Sequence, residues 1–134
     1  MNAPSVDIAA MLVADTTLGL TIGSNLFVGR MPTTPQDVVV IRDSYGYPPA
    51  VTLGGKSEGS TYYYPSVQIL IRDRDYRTGM ELGQNIVTSL HGRAQETWNG
   101  ALYSVIVCKN GPTHMMWDDN GLAHFTINFD LQRR

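Results

Sequence analysis

The chain ends with residues 117–134, WDDNGLAHFTINFDLQRR. From Ala123 to Gln132, apolar and polar residues alternate without interruption. This is the period of a long β-strand with one buried and one polar face. The Asn120-Gly121 pair in front of it supplies the positive φ angles that a tight hairpin needs. The segment therefore predicts a long strand that enters a sheet through a hairpin and carries two arginines at its tip.

Four further segments are rich in β-branched or aromatic residues, which favours β-strands. The predicted strands are residues 26–29, 38–42, 62–72 and 103–108. Pro65 is expected to mark the start of the third, because proline cannot donate to a central ladder. Between the second and third strands, Gly and Pro break every regular pattern. We interpret residues 44–62 as an extended loop or arm, partly paired.

Two helices are predicted. A short one near the N-terminus is capped by Ser5 or Asp7, and a long one over residues 76–90 is capped by Asp75. Gly79 and Gly83 lie on the apolar stripe of the long helix, although each glycine costs up to about 1 kcal/mol relative to alanine in an exposed helix. Close approach of the helix to the sheet would explain why glycine is kept at both positions.

The order of these elements is helix, two strands, arm, strand, helix, two strands. Because helix and strand do not alternate strictly, the fold class is α+β. We expect one domain over residues 1–134, with a mostly antiparallel sheet of about five strands. One long and one short helix pack on one face of that sheet.

Composition narrows the function classes. Only 16% of the 134 residues are charged, against about a quarter in typical domains, so part of the surface is expected to be covered by partners. Eight of the ten cations are arginine, which favours interface contacts. The net charge of −2 gives no case for tight nucleic-acid binding. The single Cys108 suits a reducing compartment, and no signal peptide or membrane span is recognisable.

Residues 50–59, AVTLGGKSEG, match two loose enzyme patterns. Residues 50–57 satisfy a permissive phosphate-binding loop, and Gly55 to Gly59 spell the Gly-x-Ser-x-Gly nucleophile elbow. Each pattern requires a preceding buried strand and a following helix. Here two prolines precede the segment and aromatic strand residues follow it. We therefore favour a flexible arm, and keep a small nucleotide-binding or hydrolytic enzyme only as the alternative of another class.

Two further groups of residues could form a binding site, but each also has a simple structural interpretation. The set His114, Asp118, Asp119 and His124 lacks the spacing of a metal site and is interpreted as a polar turn. No cofactor or catalytic residue is predicted. The tyrosines at 62–64 could stack on nucleic acid, but without neighbouring cations they are more typical of protein interfaces.

The cations Arg72, Arg74 and Arg77 lie at the junction of the central strand and the long helix, interleaved with aspartates. One interpretation is a solvated, salt-bridged face. The other is a subunit interface or a pore rim that faces phosphates. For the second interpretation the candidate interface residues are Arg72, Arg74, Arg77, Tyr62 and Tyr63.

Five pieces in this order resemble the tail terminator or minor capsid family of tailed bacteriophages. They are the N-terminal helix, residues 26–41, residues 65–72, the helix ending in LHG at 90–92, and the closing DDNG hairpin with its strand. The resemblance covers about Val6 to Arg134. It implies an α+β subunit without catalytic residues.

The resemblance also implies partners. Subunits of that family form a hexameric ring that caps the tail tube and joins it to the neck, and DNA passes through the lumen without specific binding. The expected partners are thus further copies of the chain, the tail tube protein and neck or connector proteins, with no membrane. The expected location is the tail–neck junction of a virion made in the bacterial cytoplasm. A head-closure or other neck subunit is the alternative, and Arg133 and Arg134 join the candidate interface residues.

Overall fold

A computed structural model describes residues 1–53, 55 and 61–134 of the chain. It contains helices α1 (Pro4–Ala14) and α2 (Tyr76–Leu90), and a short 3-10 turn at Thr16–Leu18. The strands are β1 (Leu26–Val28), β2 (Val38–Val51), β3 (Thr61–Asp73), β4 (Ala94–Trp98), β5 (Ala101–Trp117) and β6 (Ala123–Arg133). The predicted α+β class is confirmed.

One sheet contains all six strands, in the order β1-β2-β3-β6-β5-β4. Its ladders are antiparallel except for the short parallel pair of β1 and β2. The sheet thus has one strand more than the five expected. The addition is β4, which pairs with β5 through a two-residue turn at Asn99-Gly100. Both turn residues have positive φ, +51° and +83°, as a type I′ hairpin requires.

Strand β6 lies in the middle of the sheet, between β3 and β5. Its residues alternate strictly between fully and partly buried, as the sequence pattern predicts. The turn before it differs from the expected one, because only Gly121 of the Asn-Gly pair has a positive φ, +75°. Asp118 closes this turn instead, since its carboxylate accepts hydrogen bonds from the backbone N–H of Asn120 and Leu122.

Both helices cover one face of the sheet and form the core with it. Asp75 caps α2 as predicted, because its carboxylate accepts a hydrogen bond from the N–H of Thr78 at 3.1 Å. The close approach expected at the two glycines is also present. A Cβ on Gly79 would lie 2.5 Å from the Phe125 ring, and one on Gly83 would lie 2.7 Å from Pro112 Cβ.

Substituting Gly79 by alanine is therefore expected to destabilise the protein by about 1–3 kcal/mol, as overpacking of a core does. In an exposed helix the same change would stabilise by up to about 1 kcal/mol, so the sign of the effect reports the contact with Phe125. Urea unfolding measures it, and Gln84→Ala on the exposed side of α2 is the matched control. A stabilised Gly79→Ala variant would show that helix and sheet are further apart.

The cap of α1 differs from the sequence prediction. Neither Ser5 nor Asp7 caps this helix, because Pro4 occupies its first turn and Ala3 the N-cap position. The carboxylate of Asp43 on β2 takes the role of the cap. It accepts hydrogen bonds from the Ser5 N–H at 3.0 Å and from the Ser5 hydroxyl at 2.7 Å. A residue 38 positions away thus satisfies the helix N-terminus.

The segment interpreted as an arm is largely a β-hairpin. Strand β2 continues to Val51 and pairs with β3, which begins at Thr61, so the prediction that Pro65 marks the strand start is wrong. The hairpin accommodates its prolines through two irregularities, where three residues of β2 span two of β3. Gly46 lies over the backbone of β3, and a Cβ there would be 2.8 Å from Pro65 Cα.

Candidate assembly surfaces

The distal half of the β2–β3 hairpin projects from the body of the protein. We call residues 44–53 and 61–64 the arm. Every residue of β2 from Arg42 to Val51 is exposed, whereas the first four residues of the strand are buried. The arm therefore has strand pairing but no hydrophobic core beneath its β2 side.

Large apolar side chains nevertheless cover this arm. Tyr45 and Leu53 are 102% and 109% exposed, as much as in an extended chain, and Tyr47 and Val51 are also mostly exposed. We call Tyr45, Tyr47, Val51 and Leu53 the arm cluster. Several large exposed apolar groups on one short segment are typical of an interaction site. The phosphate-loop and elbow residues Gly54 and 56–59 lie outside the described residues.

A second exposed apolar surface lies where β5 ends and α2 begins. Tyr76, His114 and Trp117 surround one another and the buried ring of Phe125, with ring centroids 5.2–6.3 Å apart. Tyr76, Met115, Met116 and Trp117 are 40–54% exposed. We call Tyr76, Trp117 and the neighbouring Met115 the end patch; Met116 pairs with His124 and so lies on the other face of the sheet. The buried Nε2 of His114, at its centre, has no hydrogen-bond partner among the described residues.

The end patch was not among the candidate residues predicted from the sequence. Its signal is the run Met115-Met116-Trp117, because three consecutive large apolar residues break the alternation of a strand. In such a run the sheet can bury at most one face, so some of these side chains must be exposed. Tyr76, the first residue of α2, packs on Phe125 with the two ring centroids 5.3 Å apart.

The three arginines at the β3–α2 junction have different environments. Arg74 forms an exposed ion pair with Asp37 at 2.9 Å, and Arg77 is exposed. Burial tends to raise the pKa of Asp37, but the hydrogen bonds from Arg74 outweigh it and the pKa lies below its usual value. Arg74 and Arg77 are therefore accessible to a partner.

Arg72, by contrast, is only 8% exposed. Its guanidinium donates hydrogen bonds to four backbone carbonyls of the loop before β2, those of Pro32, Thr33, Pro35 and Gln36, at 2.7–3.2 Å. This side chain holds the loop within its own subunit. The interface proposal for the junction rests on Arg74 and Arg77.

Arg133 is also buried, at 7% exposure. Its Nη1 lies 3.2 Å from the carboxylate of Asp7, which is fully buried, and donates to the Asn2 carbonyl at 2.9 Å. The same carboxylate accepts hydrogen bonds from Tyr103 and from Asn99. Burial, and then the bond to Asp7, raise the pKa of Tyr103. This network joins α1 to the last strand.

The remaining candidate interface residues lie near the base of the arm. Arg134 is exposed and donates a hydrogen bond to the Tyr62 hydroxyl at 2.8 Å, with its guanidinium 5.3 Å from the ring centroid. Tyr63 is 37% exposed and pairs with Arg133 across β3 and β6. Arg134 and Tyr62 thus form an accessible cation–aromatic pair, and Tyr63 is exposed next to Tyr62 in β3.

The sheet face opposite the helices is polar. Gln68 bridges neighbouring strands, because it accepts a hydrogen bond from Arg42 at 2.7 Å and donates one to Thr126 at 3.0 Å. Asn128 donates to Asn110 at 2.6 Å, and Ser66 donates to Asp130 at 2.7 Å. Amide and hydroxyl groups dominate this face, so it offers hydrogen bonds with little net charge.

The four residues weighed as a metal site are not all together. Among the described residues, no group of three or more His, Cys, Asp or Glu side chains could hold a metal. Asp118 and His124 form a pair at 2.9 Å, while His114 lies in the aromatic cluster. The hydrogen bond from His124, followed by that from the Leu122 N–H, holds the pKa of Asp118 below its usual value.

The turn at Asp118 should consequently weaken in acid. A carboxylate with a lowered pKa stabilises the fold above its unfolded pKa of about 3.9, and this contribution is lost as the pH falls through the lower folded pKa. We expect Asp118→Asn to lose stability at neutral pH and to depend less on pH below about 4. Urea unfolding across that range measures both effects.

Asp119→Asn is the control, because the Asp119 carboxylate has no hydrogen-bond partner among the described residues. If Asp118→Asn and Asp119→Asn behaved alike at every pH, the assignment of the turn to Asp118 would be wrong.

Comparison with known proteins identifies one family and one fold. Residues 13–134 match the model of a family described as "Bacteriophage tail terminator protein". A chain in the solved structure "Virion of native gene transfer agent (GTA) particle" has a similar fold, with a TM-score of 0.65 at 13% identity. That match covers 98% of this chain and 94% of the other. The comparison with curated proteins gives no match.

In the part of the chain that the structure describes, neither helix is long and apolar enough to cross a membrane.

Proposed function

The chain belongs to the bacteriophage tail terminator family, and from this we propose that it forms a homohexameric ring that caps the tail tube. The ring joins the tube to the neck, and double-stranded DNA passes through its lumen. The observation that carries the proposal is the family match over residues 13–134. As a member of this family the protein is a structural component of the virion and not an enzyme.

Family membership also accounts for the enzyme-like patterns at 50–59. A short segment rich in Gly and Ser satisfies permissive motifs by chance. In this chain, residues 50 and 51 belong to an exposed strand of the arm and not to the buried strand that either motif requires.

Exposed surfaces support assembly of the subunit. The arm cluster and the end patch leave large aromatic and apolar groups in solvent, a composition typical of the buried centre of protein interfaces. Arg74, Arg77, Tyr62, Tyr63 and Arg134 add accessible polar contacts, and we propose them as interface residues. A subunit in a ring needs two complementary side surfaces, and this chain presents two separate apolar ones.

The charge of the chain supports passage of DNA without retention. A net charge of −2 provides no excess of cations, whereas each additional phosphate contact would strengthen binding to the duplex. The polar face of the sheet has the same property, because most of its side chains are uncharged. We therefore expect no measurable binding of the isolated subunit to duplex DNA at physiological salt.

The family match favours the tail terminator over a head-closure or other neck subunit. Co-sedimentation of the purified protein with isolated tail tubes, and separately with isolated necks, distinguishes them. A terminator is expected to sediment with tubes that lack it, and to saturate at six copies per tube because one ring caps one end. Binding to necks alone would favour the head-closure function, and binding to neither would contradict both.

A further inference from the structure

The two apolar surfaces are suited to each other. We propose that the arm cluster of one subunit docks on the end patch of the next copy, so that the ring closes head to tail. This inference rests on the proposed ring, and it adds which surfaces form the contact. Every residue of the arm cluster and of the end patch lies in the part of the chain that the structure describes.

The apolar side chains of the arm are not covered by their own subunit. Tyr45 and Leu53 have no loss of exposure relative to an extended chain, so folding of the monomer gains nothing from their apolar area. The arm also resists simple edge pairing with another strand. Pro48 and Pro49 lack N–H donors, and the two irregularities of β2 disrupt the ladder. Its partner must therefore be bound through side chains.

The end patch has the composition of an energetic centre for binding. Trp and Tyr dominate the residues whose truncation weakens interfaces most, and methionine adapts its shape to a partner. Trp117 and Tyr76 are held in place by their ring contacts with His114, which reduces the entropy lost on binding. The patch is thus a preformed receptor for apolar side chains.

The two surfaces lie at opposite ends of the sheet. Tyr63 at the base of the arm pairs with Arg133, and Asp73 at the other end of β3 pairs with Ala123, beside the end patch. Ten residues of strand separate these two pairs, or roughly 33 Å. The arm cannot reach the end patch of its own subunit. A contact between two different surfaces is heterologous, and it closes a ring when the rotation that relates successive subunits divides a full turn.

The lack of charge on the arm and the apolar area that it presents both favour a second copy of the chain as the partner that binds the end patch. Residues 44–53 contain no charged side chain, which suits an apolar receptor. The two arm tyrosines alone present on the order of 300–500 Å². A stable interface buries about 800 Å² per partner, so one such contact is weak by itself. Each subunit in a ring makes two of them, and closure makes them cooperative. Tube or neck proteins are the competing occupants.

The test uses two single-surface variants of the full chain. Tyr47→Ser removes an exposed tyrosine from the arm, and Trp117→Ser removes the centre of the end patch; Met115→Ser is the second patch variant, should loss of Trp117 impair folding. Ile22→Ser, at a comparably exposed apolar residue outside both surfaces, is the control. Native mass spectrometry measures ring formation, in solution and on tail tubes. Each surface variant is expected to weaken association about thirtyfold, and the control to leave it unchanged.

Mixing the variants gives the decisive result. An arm variant and a patch variant retain one intact contact between them, so an equimolar mixture at a protein concentration high enough to populate this single weak contact is expected to yield a one-to-one heterodimer that neither forms alone. Rings that form normally from both variants, or a mixture that stays monomeric, would overturn the inference while leaving the ring itself intact. If the wild-type protein formed no ring in either setting, the proposed function would fail instead.

Discussion

Replacing Arg133 by methionine is expected to lower the free energy of unfolding by about 3–5 kcal/mol, the cost of breaking one side of a buried ion pair. The reason is the environment of Asp7, whose carboxylate is fully buried and lies 3.2 Å from Arg133 Nη1. Without the guanidinium, Asp7 keeps only its hydrogen bonds from Asn99 and Tyr103, and its charge is uncompensated. Chemical denaturation followed by circular dichroism measures the loss.

Arg134→Met is the matched control, because the neighbouring arginine is exposed and its side chain, among the described residues, donates a hydrogen bond only to the Tyr62 hydroxyl. It is expected to change stability by less than about 0.5 kcal/mol. Adding Asp7→Leu to Arg133→Met should recover part of the loss, since replacing both members of a buried pair is often tolerated. Equal stabilities of the two arginine variants would contradict the network.

Replacing Arg72 by methionine is the second large effect, about 2–4 kcal/mol. Four backbone carbonyls of residues 32–36 share this one guanidinium, and its removal leaves them without that donor. Hydrogen bonds to a charged group are the stronger kind, so their joint loss exceeds that of an ordinary pair. Denaturation measures the stability, and limited proteolysis reports opening of the loop.

Arg74→Met controls for the loss of a nearby cation. Its ion pair with Asp37 is exposed on both sides, so its loss is expected to have little effect on stability. An Arg72 variant as stable as the Arg74 variant would show that the loop does not depend on these hydrogen bonds.

Local patterns in the sequence predicted the elements whose cause is local. Strand β6 follows from its alternation, and α2 follows from its apolar stripe and the cap at Asp75. The cap of α1 could not be found in this way, because Asp43 reaches it from another strand. The environments of Arg72 and Arg133 are likewise tertiary, since both bond to residues at least 36 positions away or across the sheet.

At two other places where the structure differs from the prediction, the sequence does contain a signal for the observed structure. Asn99-Gly100 is the stronger hairpin pair, with positive φ at both residues, and recognising it would have placed β4. Pro48 and Pro49 argued against a strand, but β2 has no neighbour on its outer side beyond β1, where proline is tolerated. If the end patch binds a second copy as we propose, an interruption of alternation can mark a surface for assembly.

Imaging of tail tubes shows directly whether the protein forms a ring at a tube end. Electron cryomicroscopy of tubes incubated with the purified protein, followed by averaging of tube ends, counts the copies and shows where they bind. We expect one closed ring of six copies at a single end of each tube, with an open lumen. Subunits bound along the tube wall, or tube ends that stay bare at saturating protein, would contradict the account.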